Sequence, residues 1–141
     1  MLEINLRRVE RKDWDFILKL RNKKEYRRFF YDQHIITKKE HYKYLRKQMS
    51  NPSFINRIIC YRHKDVGYVR VLDGDISIIM DKRYGGKGIG TKALQLFEKE
   101  VRKRGIKKLV GRIMIHNESS KKIFIKNNYK LLMYWFEKQI G

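Results

Sequence analysis

Four glycines crowd the segment Tyr84-Gly85-Gly86-Lys87-Gly88-Ile89-Gly90-Thr91. Glycine admits positive φ and lets a ligand approach the backbone with no Cβ in the way. An apolar run, 75–80, precedes the loop. An amphipathic stretch with Ala93, Leu94, Phe97 and Val101 follows it. A strand before and a helix after would leave successive amides pointing outward at the helix N-terminus, where the dipole favours negative charge. Such a loop suits a phosphate or pyrophosphate. Two familiar phosphate loops fit poorly. A Walker loop needs Lys-Ser/Thr after its last glycine, whereas Gly90 is followed by Thr91-Lys92. A dinucleotide fingerprint lies early in a strand-helix-strand unit and wants an acid about 20 residues on. Here the loop falls past the middle of the chain, and position 110 is valine.

Other residues could carry charge or protons. Arg27 and Arg28 stand among Tyr26, Phe29, Phe30 and Tyr31. Two guanidinium forks can clamp a diphosphate while an aromatic stacks a base. Equally, the aromatics can fill a core and leave the arginines in water. His116 closes the apolar stretch 108–115, and histidine is the side chain that titrates near neutrality. Asp75 belongs to the turn Asp73-Gly74-Asp75, so it is either a hairpin residue or a carboxylate at the end of a strand. His34 and His41 flank the start of a helix.

The elements that must position these groups follow from periodicity. Over 2–9, Leu2, Ile4 and Leu6 alternate with Glu3, Asn5 and Arg7, the pattern of a strand. Asp13 offers an N-cap, and Trp14, Ile17, Leu18 and Arg21 recur at helical spacing. Thr37-Lys38-Lys39-Glu40 is a capping box with Ile36 just before it, and Asn51-Pro52 ends that helix. Strands are expected over 56–61, 66–72 and 75–80, the last two joined by Asp73-Gly74 as a hairpin. A long helix follows the glycines, with Gly105 as its C-cap. A strand over 108–115, a short helix with Ile123 and Phe124, and a strand over 129–136 complete the chain. The order β-α-α-β-β-β-α-β-α-β predicts a mixed sheet with helices on its faces, an α/β or α+β layer arrangement.

Composition bounds the options. The 141 residues carry 35 Lys and Arg against 15 Asp and Glu, a net charge of +20. That field draws anions, whether nucleotide cofactor, sugar nucleotide, RNA or acidic protein. At 42% hydrophobic content the chain is globular rather than disordered. Cys60 is alone, so an intrachain disulfide and a cysteine zinc site are excluded, and no metal is expected. No run of about 20 apolar residues exists, and no signal-peptide stretch opens the chain. The expectation is a single cytoplasmic domain, residues 1–141.

The glycine loop resembles the Gln/Arg-x-x-Gly-x-Gly/Ala loop of GCN5-related N-acetyltransferases, the GNAT superfamily. Residues 117–129, from Asn117-Glu118-Ser119-Ser120 to Asn127-Asn128-Tyr129, resemble the same family's Asn-x-x-Ala/Ser-x-x-Leu-Tyr-x-x-x-Gly-Phe segment. The resemblance implies the GNAT fold: a mostly antiparallel sheet with a central parallel V-shaped split and helices on both faces. It implies acetyl-coenzyme A held by Gly86, Lys87, Gly88, Ile89 and Gly90, with Gly85, Thr91 and Arg83 at the edges of the loop. Backbone groups of Ile78 and Met80 would pair with the pantetheine arm, and Asn117, Ser120 and Phe124 would meet the coenzyme from the next helix. Gly85 replaces the family's Gln/Arg, and Asn128-Tyr129 replaces Gly-Phe. Phe124 replaces the frequent general-acid tyrosine, leaving protonation of the thiolate to solvent or to a neighbour such as Tyr84 or Tyr134.

Acetyl transfer to a primary amine requires a neutral amine and a donor for the developing oxyanion. The family match suggests the Met80 amide for the oxyanion, with Asp75 or His116 as base through water. The stretch from Arg21-Asn22 through Arg27-Arg28 to His41 resembles acetyltransferases that act on nucleotide-linked amino sugars, and more loosely those that act on ribosomal proteins. The expected acceptor is a small amine, a sugar nucleotide foremost. A peptide acceptor and a non-catalytic RNA-binding module are the alternatives. Nucleic acid would bind without specificity, no membrane would be engaged, and a homodimer is compatible with the family.

Overall fold

A two-residue turn sets the register at the centre of the sheet. Asp73 and Gly74 both adopt left-handed backbone, with φ of 49° and 83°, the geometry whose twist matches paired strands. They join β3, Lys64–Leu72, to β4, Asp75–Met80. The computed structural model, which describes residues 3–141, places β1, Ile4–Arg8, and β2, Phe54–Tyr61, beside them in an antiparallel run. A short fifth strand, β5, Val110–Gly111, pairs in parallel with β4, giving the order β1-β2-β3-β4-β5. Leu2, expected to open the first strand, lies outside the described residues.

Helices cover both faces. On one lie α1, Trp14–Asn22, α2, Lys24–Arg27, and α3, Lys38–Gln48, over a core that includes Ile17, Leu45, Ile58 and Tyr68. On the other lie α4, Ile89–Lys103, and α5, Glu118–Lys126, over Ile59, Val69, Ile76 and Phe97. The expected face of α4, Ala93, Leu94, Phe97 and Val101, is the buried one. The Thr37 box forms: its Oγ accepts from the Glu40 amide at 3.1 Å and donates to the Glu40 carboxylate at 3.0 Å. None of these helices is long and apolar enough to cross a membrane.

Three expectations need correction. Asp13 does not cap α1 with its side chain; Arg7 takes both carboxylate oxygens at 2.7 Å, and the Glu10 amide donates to one of them at 2.8 Å. The strand over 108–115 contracts to Val110–Gly111, because beyond Ile76 and Gly111 the two parallel strands diverge and the ladder ends. The run 129–136 joins no sheet, and Leu131, Leu132, Met133, Tyr134, Trp135 and Phe136 are exposed. Apolar character makes a strand only where a neighbour supplies hydrogen bonds. An unbroken apolar run also lacks the alternation that would fix a register.

Candidate functional site

The site is built around the divergence of β4 from β5. Residues facing each other across an antiparallel pair alternate between bonded and non-bonded positions. The Asp81 amide donates to the Val66 carbonyl at 2.7 Å, which marks that pair as bonded. Counting back along β4, Met80 opposite Gly67 and Ile78 opposite Val69 are non-bonded pairs. Their N–H and C=O groups therefore turn away from β3, toward β5. Ile76 meets Gly111 there, but Ile78 and Met80 face the opening where β5 has left. They are the backbone groups an extended amide-bearing ligand would pair with.

The glycine loop stands at the mouth of this opening. Gly86 and Gly88 have φ of 74° and 79°, so both need glycine's freedom. The first main-chain bond into α4 is Lys92 N–H to Gly88 O, at 3.1 Å, and the amides from Gly86 to Thr91 have no main-chain acceptor. A Cβ on Gly86 would meet nothing within 4 Å. Gly90 differs, since a Cβ there would come 2.6 Å from Ile123 Cδ1; it lets α4 pack against α5. Tyr26 Oη accepts from the Lys82 amide at 2.7 Å and pins the start of the loop. Arg83 forks onto Asp81 at 2.7 Å, and Arg83 and Lys87 both stand over the Tyr84 ring. The loop's amides and cations thus suit a pyrophosphate, and the free edge of β4 suits a pantetheine arm.

The later segment completes this wall. Asn117 caps α5, its side chain accepting from the Ser120 amide at 3.3 Å. Asn128 takes φ of 66°, so asparagine keeps the left-handed turn that the family makes with glycine. Phe124 is buried edge-on against Tyr129, with centroids 4.7 Å apart.

The titratable candidates fall in different places. Asp75 sits where β4 still pairs with β5. Its carboxylate accepts from Arg70 at 3.3 Å and from Arg112 at 3.2 Å. His116 lies beyond the diverging end of β5. Its Nε2 is 3.0 Å from the Arg28 carbonyl, and its ring packs tilted against Phe29 at 5.4 Å. The Arg28 guanidinium covers the Phe29 ring at 4.5 Å. Asn22 is used internally: its amide group donates to Ile36 O at 2.8 Å and accepts from Ile36 N at 2.9 Å. His41 is buried and donates through Nε2 to Trp14 O at 2.8 Å, and burial holds its pKa below the usual histidine value. The Nε of Arg27 is buried without a partner. Cys60 is a buried thiol, raised by burial.

On the α1 and α3 face a cavity of about 280 Å³ opens between these helices and β3, with Arg21, His34, Glu40, His41, Tyr68 and Arg70 in its wall. Sequence reading singled out Arg21 and His41 and missed Arg70. The missing information was register: period two in β3 puts Tyr68 and Arg70 on one face, but only the pairing shows that this face meets α1 and α3. Burial pushes the Tyr68 hydroxyl up to about 12, so it stays protonated.

Comparison with known proteins agrees with this geometry. A family model described as an acetyltransferase (GNAT) domain matches residues 3–130. A domain from Methanocaldococcus jannaschii is similar, with 26% identity, a TM-score of 0.81, and 92% of this chain and 90% of that one covered. A ribosomal L7/L12 alpha-N-protein acetyltransferase, RimL, in complex with coenzyme A, shares the fold at 17% identity and a TM-score of 0.78, over 92% of this chain and 81% of its own. Spermidine N-acetyltransferase from Vibrio cholerae, in complex with coenzyme A and spermine, shares it at 16% identity and 0.77, over 88% and 79%. No curated protein matches.

Proposed function

This chain belongs to the GNAT acetyltransferase family, and from that premise we propose that it acetylates the primary amine of a small anionic acceptor, a nucleotide-linked amino sugar foremost. It is an acyltransferase that uses acetyl-coenzyme A. The coenzyme supplies the acetyl group as an activated thioester. The register of β4, which turns the backbone groups of Ile78 and Met80 into the split beside the free amides of Gly86 to Thr91, supports the coenzyme's place, and the Arg28 guanidinium on the Phe29 ring supports an anionic acceptor.

Each part has a role on this reading. The loop amides and the α4 N-terminus bind the pyrophosphate. Ile78 and Met80 align the pantetheine amides as an added strand would, and leave an N–H for the developing oxyanion. Asn117 orders the start of α5 beside the coenzyme. A carbonyl can only accept, so His116 must donate from Nε2 to Arg28 O, which leaves Nδ1 as its basic nitrogen in the neutral ring. His116 is therefore the group free to take the ammonium proton, through water. Asp75, with two guanidiniums on its carboxylate, organises the closed end of the split. The stack of Arg28 on Phe29 offers a cation and an aromatic face to a nucleotide.

Thiol release with a panel of acceptors tests the proposal. Turnover with amino-sugar nucleotides supports it. Turnover confined to N-terminal peptides would move the assignment to a protein N-acetyltransferase, and turnover confined to polyamines would remove the anion from the acceptor.

A further inference from the structure

Arg21 lies in the last turn of α1. Its Nε is shut off from solvent and has no hydrogen-bond partner. Its guanidinium lies over the Phe30 ring at 4.6 Å, which covers one face without neutralising the charge. Among the described residues no carboxylate lies within ion-pair distance of it. Burial, and then the charge of Arg70, act against its protonated form. Arg21 is half-buried, and a partly desolvated cation beside a second cation gains from an accompanying anion.

Arg70 is half-buried, and its hydrogen bonds within the protein come from one nitrogen, Nη1, to the Asp75 carbonyl at 2.9 Å and the Asp75 carboxylate at 3.3 Å. That carboxylate is shared with Arg112, so one negative charge serves two guanidiniums. The other carboxylates nearby are already engaged. Glu40 receives the Thr37 hydroxyl at 3.0 Å and faces His34 Nε2 at 3.4 Å, and Asp32 holds His34 Nδ1 at 2.6 Å. The cavity wall therefore keeps an excess of positive charge in a partly apolar setting.

We infer that Arg21 and Arg70 form an anion subsite in this cavity, and that it takes a phosphate or carboxylate of the acceptor. The inference rests on reading this face as the acceptor's side of the sheet. Arg70 stands opposite Ser77, the first residue of β4 beyond its pairing with β5. Arg70 on β3 is thus one strand spacing, about 5 Å, from β4, whose far edge lines the split. An acceptor anchored there by its anion would reach β4 with an amine carried on a sugar-sized spacer. The two guanidinium forks are the donors suited to a planar or tetrahedral oxyanion group.

Isothermal titration of the full chain, saturated with coenzyme A so that the glycine loop is occupied, separates the two anion sources. Inorganic pyrophosphate is one arm and succinate the other. Saturable binding is expected in at least one arm, and the arm that responds identifies the group. Arg21→Gln and Arg70→Gln should each weaken that binding at least tenfold, while Lys39→Gln, an exposed cation on α3, should leave it within twofold. Absence of binding in both arms, or an equal loss in Lys39→Gln, overturns the subsite. If Arg21→Gln does not fold, Arg70→Gln decides alone. Anion binding as expected, with no acetylation of amino-sugar nucleotides, keeps the subsite and removes the sugar reading. Acetylation of those nucleotides with an unchanged acceptor KM in Arg70→Gln does the reverse.

Discussion

The imidazole of His116 donates to the backbone carbonyl of Arg28, 88 positions away in sequence and 3.0 Å away in space. The bond fixes the tautomer and aims Nδ1 away from the carbonyl. His116→Gln should lower kcat by about 10²-fold, a typical general-base contribution, with the KM for acetyl-coenzyme A within about twofold of the unaltered chain by the same logic of roles. Steady-state kinetics with both substrates varied would show it, and an unchanged kcat would place the base elsewhere.

Because the carbonyl of Arg28 holds His116, removing the Arg28 side chain leaves that bond intact. Arg28→Ala therefore reports the guanidinium on Phe29 by itself. The acceptor KM should rise by about tenfold, roughly 1.4 kcal/mol, and the KM for acetyl-coenzyme A should rise less. Steady-state kinetics with both substrates varied would show it. Equal rises would mean that Arg28 serves the coenzyme instead.

Gly86 and Gly90 separate binding from stability. Alanine at Gly86 projects into open space with φ of 74°, a strain of about 1 kcal/mol. The methyl group would occupy the approach to the loop amides, so coenzyme A affinity should fall at least about tenfold, or 1.4 kcal/mol. Gly90→Ala instead drives a methyl into Ile123 and should cost about 1–3 kcal/mol of stability. Titration calorimetry and chemical denaturation on both variants check the contrast. Unaltered coenzyme affinity in Gly86→Ala would reduce the loop to a turn.

What the sequence makes legible is whatever a short stretch decides by itself. The bounds of β4, the capping box of Thr37 and Glu40 and the buried face of α4 all follow from neighbours a few residues apart. What escapes depends on partners far along the chain. Asp13 reads as a helix cap until Arg7 claims its carboxylate. Arg70 is one charge in an apolar strand until the fold brings Arg21 to the same cavity. Residues 129–136 read as a strand because composition cannot reveal whether a neighbour is there to pair with them.

The Arg7 and Asp13 pair predicts an acid-sensitive fold. The guanidinium of Arg7 holds the Asp13 carboxyl below the usual carboxylate range, against burial, which raises it. A lowered folded-state pKa contributes stability above the unfolded value of about 3.9, and that contribution is lost as pH falls through the folded value. Asp81, held low by Arg83, acts in the same direction. Urea midpoints should therefore fall steeply below about pH 4. Asp13→Asn should cost about 2 kcal/mol at pH 7, as expected for bonds to a charged group, and should flatten the acid limb. An acid limb as steep in the variant would assign it to other carboxylates.

Phe124 tests whether transfer needs a protein acid. Its ring is 6% exposed, and its Cζ lies 2.9 Å from where a Cβ on Gly111 would stand. A tyrosine hydroxyl extends from that carbon, so Phe124→Tyr would aim one at β5, where Gly111 still pairs with Ile76. This is the closed end of the split. The phenylalanine itself has no proton to give, and solvent or a neighbouring tyrosine can protonate the departing thiolate. The unaltered chain should therefore turn over. Phe124→Tyr should change kcat by less than about tenfold, or 1.4 kcal/mol of barrier. It should also cost about 1–2 kcal/mol of stability, because the hydroxyl overpacks a filled site. Thiol release under saturating acetyl-coenzyme A, with denaturation curves on the same samples, reads both. A rise in kcat well beyond tenfold would show that thiolate protonation limits the reaction and that the chain works without its acid.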